Sequence, residues 1–136
     1  MAKVYLDSCV VIYLIQGPAI LSRAILAELQ PSEGEPPLVC VSDLTRLECR
    51  VWPLRQEDSG LLNEFDRFFA SEGLQTIAFG ARIFDKATEL RATHGTKTPD
   101  ALHLAAAIIA GCAEFWTNDP RLRSAADGKI ALKMFS

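Results

Sequence analysis

Four acidic residues stand where strand-like and helix-like segments meet: Asp7 in "YLDS", Glu48 in "RLEC", Asp100 in "TPDA" and Asp119 in "TNDP". Carboxylates brought together repel and raise one another's pKa unless a cation sits among them. An oxygen-only set of this kind suits a hard divalent ion, Mg²⁺ or Mn²⁺, rather than zinc. The chemistry on offer is then metal-assisted hydrolysis, in which the ion lowers the pKa of a water and neutralises charge building on the substrate. Three of the acids also have a structural account. Asp119 precedes Pro120 and makes a good N-cap, Asp100 sits in a first helical turn where the dipole favours it, and Asp7 can cap a helix beginning at Ser8. Glu48 has no such account, because Arg46 and Arg50 lie at the wrong helical spacing to pair with it.

Whether the four meet depends on the elements that carry them. Periodicity predicts strands over 3–6, 38–42, 74–78, 113–117 and 130–134, and helices over 8–16, 18–30, 43–55, 59–72, 80–94, 98–111 and 120–126. Strands alternating with helices imply a mostly parallel central sheet flanked by helices on both faces. The helix from residue 98 is about 22 Å long at 1.5 Å per residue. The strand that follows through Gly111 and Cys112 returns antiparallel to it, which brings Asp100 and Asp119 to one rim. Asp7 ends the first strand at that rim, where open α/β sheets place their ligands. In "SDLTRLECRV", Leu44, Leu47 and Val51 mark what periodicity takes as the buried side of a helix starting there, with Glu48 on its flank.

The chain has 136 residues, 49% of them hydrophobic and 23% charged, and a net charge of −3, which fits one folded domain spanning residues 1–136 with no global basic field. The longest apolar runs, at 9–15 and 104–113, are too short for a bilayer, and "MAKVYLD" lacks the pattern of a secretory signal. A cytoplasmic location with no membrane span is expected. Cys9, Cys40, Cys49 and Cys112 form no C-x-x-C pair and read as free thiols. "PSEGEPP" at 31–37 is a turn cluster, too short to divide domains. His103, one turn after Asp100, reads as a hydrogen-bonded structural histidine, and His94 before Gly95 as a polar helix end.

The segments "YLDSCVVIYL", "SDLTRLECR", "TPDALHLAAAI" and "WTNDPRL", in this order and spacing, closely resemble the PIN-domain family, with a length and gap pattern like the VapC-type toxins of bacterial toxin–antitoxin pairs. Each segment is a weak motif, but the four in register run over nearly the whole chain. The resemblance implies a Rossmann-like three-layer α/β fold, Mg²⁺- or Mn²⁺-dependent cleavage of RNA, a cognate antitoxin as partner and frequent homodimerisation. By position it makes Asp7, Glu48, Asp100 and Asp119 the acidic quartet, with Ser8, Thr45, Thr117 and Asn118 as polar neighbours. Asp7 and Asp100 would hold the ion, while Glu48 and Asp119 complete its shell and orient the attacking water. Arg46 and Arg121 are the nearby cations available to RNA. One departure is Pro53 in "RVWPLR", expected to end or kink the helix after Glu48 early.

Three other readings remain. A PIN-fold nuclease that processes RNA outside a toxin pair would share the quartet. A phosphatase of the haloacid dehalogenase type needs a second aspartate two residues after the first, where this chain has Cys9. A non-catalytic interaction module would use the same carboxylates only as helix caps. The partner surface is expected on the helices at 9–15, 18–30 and 59–72. There Ile20, Leu21, Ile25, Leu26 and Leu29 exceed one sheet-facing stripe, while Phe65, Phe68 and Phe69 are mostly core.

Overall fold

The computed structural model describes residues 1–136. β1 (Lys3–Leu6), β2 (Leu38–Ser42), β3 (Gln75–Ile77), β4 (Glu114–Thr117) and β5 (Ala131–Met134) form one sheet in the order β3-β2-β1-β4-β5. Every neighbouring pair is parallel, so the sheet is wholly rather than mostly parallel. Period-2 alternation in β1 sends Val4 and Leu6 to one face and Tyr5 to the other, and each face is covered by a core of its own.

On the first face, α1 (Ser8–Gln16), α2 (Ala19–Leu29), α3 (Asp43–Arg55) and α4 (Ser59–Phe69) bring Val10, Val11, Ile25, Cys49 and Phe65 against Leu6 and Trp116. On the second face, α5 (Ala81–His94), α6 (Thr98–Ile109) and α7 (Arg123–Ala126) pack on Tyr5, Cys40 and Phe115. Ala105, Ala106 and Ala107 are fully buried in α6, their small side chains letting that helix lie close on the sheet. The chain leaves β1 for β2 and β3 on one side and places β4 and β5 on the other. The direction of winding therefore reverses between β1 and β4, the point where open parallel sheets form a ligand crevice at their carboxyl ends.

Three expectations change. The apolar stripe of α3 faces away from the core: Leu47 and Val51 are exposed, with Leu54 and Trp52 beside them, while Thr45, Cys49 and Pro53 are buried. Spacing four apart makes those three a continuous inner face, less hydrophobic in type than the outer one. Pro53 does not end the helix early. It lies in the last turn, where its fixed φ fits the helix and only one backbone bond is lost, and α3 runs to Arg55. In α2, Ile25 belongs to the core, whereas Ile20 and Leu26 are exposed as expected. No single helix is long and apolar enough to cross a membrane; α1 and α2 pass such a test only together, and they meet at 111°.

Candidate active site

β1 and β4 lie side by side, and the backbone N–H of Asp7 donates to the Trp116 carbonyl across them at 2.9 Å. This places Asp7 beside the segment Thr117–Asp119. Asp7 is the N-cap of α1: its Oδ1 accepts from the Ser8 N–H at 2.8 Å, and its Oδ2 accepts from Thr117 Oγ1 at 2.8 Å. Both oxygens keep a further lone pair. Thr117 is fully buried and also accepts the Asp119 N–H. Replacing it by the similarly shaped Val is expected to lower stability by about 1.5–3 kcal/mol, the scale of hydrogen bonds to a charged group. The check is a fall in the denaturant midpoint at unchanged slope; an unmoved midpoint would mean that Asp7 needs no such anchor.

Glu48 comes from the second turn of α3, whose start is fixed by a capping box between Ser42 and Thr45. Its Oε1 accepts from Ser8 Oγ at 2.6 Å and lies 2.5 Å from His103 Nε2. The basic partner missing from the sequence is therefore His103, 55 residues away on α6, and Nε2 is also 4.0 Å from Asp7 Oδ1. Burial pushes the Glu48 carboxyl up, but the hydrogen bonds from His103 and Ser8 outweigh it and hold the group below the usual carboxylate range. Both hydrogen bonds fall on Oε1, leaving Oε2 without a protein partner.

Asp100 lies in the first turn of α6 and shares a cleft of about 180 Å³ with Asp119, as the antiparallel return of β4 requires. Burial, then the charges of Asp7 and Asp119, raise its pKa, with His103 opposing and Glu48 adding a smaller push. No hydrogen bond relieves it. Asp119 is different: it caps the 3₁₀ turn Pro120–Leu122 and is gripped by the Arg121 guanidinium at 2.9 Å on each oxygen. That fork holds its pKa down against the opposing effect of burial. Arg121 is thus paired with Asp119 while remaining largely exposed, and Arg46 lies 3.9 Å from Asp66, which Arg50 holds at 2.8 Å. Of the expected polar neighbours, Ser8 and Thr117 touch the acids, Thr45 lies behind His103 through Tyr5, and Asn118 donates to Tyr13.

The four acids therefore share one rim, with Asp100 sensing the charge of the other three. No three of the chain's His, Cys, Asp and Glu side chains form a group that could hold a metal ion between them. The donors at the rim are carboxylate oxygens, and a small hard ion such as Mg²⁺ is commonly held by only one or two of these, completing its shell with water and phosphate oxygens. Two thiols lie by the acids but stay protonated: burial, followed by the Asp7 charge, pushes Cys9 up to about 12, and burial, followed by the Glu48 charge, pushes Cys49 up as well. The larger cleft, of about 760 Å³ between Cys112 and the segment 126–134, contains none of the four acids.

A family model described as "PIN domain" matches residues 4–128. No curated protein matches the chain in sequence. Solved structures of similar fold include VapBC2 from Rickettsia felis bound to a DNA fragment from their promoter, with TM-score 0.76 at 15% identity, covering 98% of this chain and 99% of that one. A toxin–antitoxin complex from Klebsiella pneumoniae gives TM-score 0.70 at 21% identity over 96% of each chain. FitAcB from Neisseria gonorrhoeae gives 0.67 at 16% over 95% of each. At these identities the likeness is one of fold.

Proposed function

The chain belongs to the PIN-domain family, and from that premise we propose that it is a Mg²⁺- or Mn²⁺-dependent endoribonuclease, the toxin of a VapBC-type toxin–antitoxin pair. The observation that carries this reading is Asp100, a carboxylate without a hydrogen bond whose pKa is raised by burial and by the acids around it. Such a group is poised for a cation. The reading takes residues 1–136 as one PIN domain in the cytoplasm, and the similar folds include a toxin–antitoxin complex and VapBC2, which supports an antitoxin as partner.

Asp7 and Asp100 would hold the ion. When bound, Mg²⁺ or Mn²⁺ supplies charge neutralisation at the phosphate and a more acidic water. Glu48 Oε2 is free to orient that water and take its proton, its other oxygen being anchored. Asp119 adds negative charge at the rim while its Arg121 fork keeps it ionised. The capping-module reading loses ground because caps account for Asp7 and Asp119 but not for Glu48 or the hydrogen-bond-free Asp100.

RNA approach falls to the cleft that Asp100 and Asp119 share with Lys97, Arg121, His94 and Ser124. Its lining is polar and carries no phenylalanine, tyrosine or tryptophan, which suits backbone phosphate better than a stacked base. Lys97→Ala is expected to flatten the dependence of log affinity on log salt by about 0.7, one phosphate contact on a single strand. Titrating an RNA oligonucleotide against the cleavage-deficient Asp100→Asn chain at several salt concentrations measures it. An unchanged slope would take the RNA path away from Lys97. The reading as a whole is tested by incubating purified protein with total RNA with and without Mn²⁺: metal-dependent endonucleolytic products are expected, and intact RNA in both would reject it.

A further inference from the structure

His103 is 1% exposed, yet both its ring nitrogens are engaged: Nε2 with Glu48 Oε1 at 2.5 Å, Nδ1 with the Tyr5 hydroxyl at 2.7 Å. Behind it Tyr5 meets Ser42 Oγ at 2.8 Å and Thr45 Oγ1 at 3.3 Å, the two residues of the α3 capping box. One chain of contacts therefore runs from the start of α3, through β1 and α6, back to the second turn of α3. Its protons can be placed. Glu48 is ionised and accepts, so Nε2 donates. The Tyr5 phenol is fully buried, with Ser42, Thr45 and the His103 ring as its only hydrogen-bonding partners and no cation among them to stabilise a phenolate, so it keeps its proton. Ser42 and Thr45 can each donate to the phenol oxygen, and in the neutral ring a proton on Nε2 leaves Nδ1 able only to accept. The phenol proton therefore goes to Nδ1.

We propose that His103, locked by Tyr5, is a positioning residue for cleavage: it anchors one Glu48 oxygen through Nε2–H and so holds the other, Oε2, for the attacking water. The inference rests on the nuclease reading and goes beyond a merely hydrogen-bonded core histidine. A ring free to flip or to exchange its proton between nitrogens would present an acceptor to Glu48, and two acceptors cannot bond. Tyr5 is fully buried on the far side of His103 from the carboxylate, so its hydroxyl acts on Glu48 through the ring and, by way of Ser42 and Thr45, through the start of α3; the double variant and the imidazole NMR separate the two routes.

The test is kinetic and spectroscopic. Tyr5→Phe is expected to lower kcat roughly 10- to 100-fold, the scale for loss of an orienting partner, with KM for RNA and the Mn²⁺-induced rise in melting temperature unchanged. His103→Gln, which keeps an amide donor near the Nε2 position, should retain more activity than His103→Leu. Adding Tyr5→Phe to His103→Gln should cost little more, because the group it locked is gone. Nitrogen NMR of the imidazole should find the proton on Nε2 in the parent and a tautomer mixture in Tyr5→Phe. A Tyr5→Phe chain that cuts at the parent's kcat, or a parent ring protonated on Nδ1, overturns the proposal alone. A parent that cuts no RNA with either metal overturns the nuclease reading and this inference with it.

Discussion

Replacing Asp100 by Asn is expected to separate fold from function more sharply than any other single change in the chain. RNA cleavage should fall by roughly 10²- to 10³-fold, the scale for removing one electrostatic partner of a transition state, while the metal-free protein becomes slightly more stable. The two residues have nearly the same shape, and they behave alike at helix starts. What changes is a charge. The α6 dipole favours an acid in its first turn by about 0.3–1 kcal/mol, but burial and the charges of three neighbouring acids act the other way and raise the Asp100 pKa. A carboxyl whose folded pKa lies above its unfolded value contributes stability that is fully present below the unfolded pKa and is lost as pH rises through the folded one. At neutral pH without metal the parent therefore carries a penalty that Asn lacks, and the gap should close as the solution is acidified through the carboxylate range. Added Mn²⁺ should reverse the order, raising the melting temperature of the parent and not of the variant. Thermal melts across pH, with and without Mn²⁺, beside a cleavage assay measure all of this. A variant that still cuts RNA at the parent's rate and still melts higher with Mn²⁺ would reduce Asp100 to a residue of the helix start.

The placement of Asp100 was legible because it follows from lengths alone: a twelve-residue helix, a Gly111 turn at φ 75° and a four-residue strand must return Asp119 to the helix start. The same holds for Asp7, which follows β1 in a sheet whose strands all run one way. The partner of Glu48 was not legible. His103 is an isolated histidine on an apolar helix, and only the packing of α6 against β1 and α3 turns its ring toward a carboxylate 55 residues distant. Its spacing three residues after Asp100 marked the right face of α6 but said nothing about α3. The Arg121 fork was nearer to hand, since a basic residue two positions after an N-cap aspartate can reach back to it.

The stripe on α3 failed for a different reason, and that reason carries the last prediction. Periodicity reports that one side of a helix is apolar; it does not report what covers that side. The inner face of α3 is built from Thr45, Cys49 and Pro53, so Leu47 at 59%, Val51 at 42% and Leu54 at 54% exposure form an outer stripe at i, i+4 and i+7. Apolar side chains at that spacing suit a partner helix or strap laid across them, and under the toxin reading the partner is the antitoxin. This moves the expected docking surface from the helices at 9–15, 18–30 and 59–72 toward α3, although Ile20 and Leu26 on α2 remain exposed. Because α3 also carries Glu48 one residue after Leu47, a partner seated there would lie within reach of the acidic rim. Replacing Leu47 by Arg puts a charge at the most exposed position of the stripe without touching the core. The expected loss is about 2–4 kcal/mol of binding, the range for a central interface residue, or roughly 30- to 1,000-fold in Kd. The melting temperature of the isolated chain and its RNA cleavage should stay where they are, so cells carrying both partners should lose protection while the purified toxin looks unaltered. Calorimetric titration with the antitoxin, and size-exclusion chromatography of the chain alone, read the two possible occupants separately. If Leu47→Arg leaves antitoxin affinity within threefold and instead turns a dimer into a monomer, the stripe belongs to a second copy of this chain.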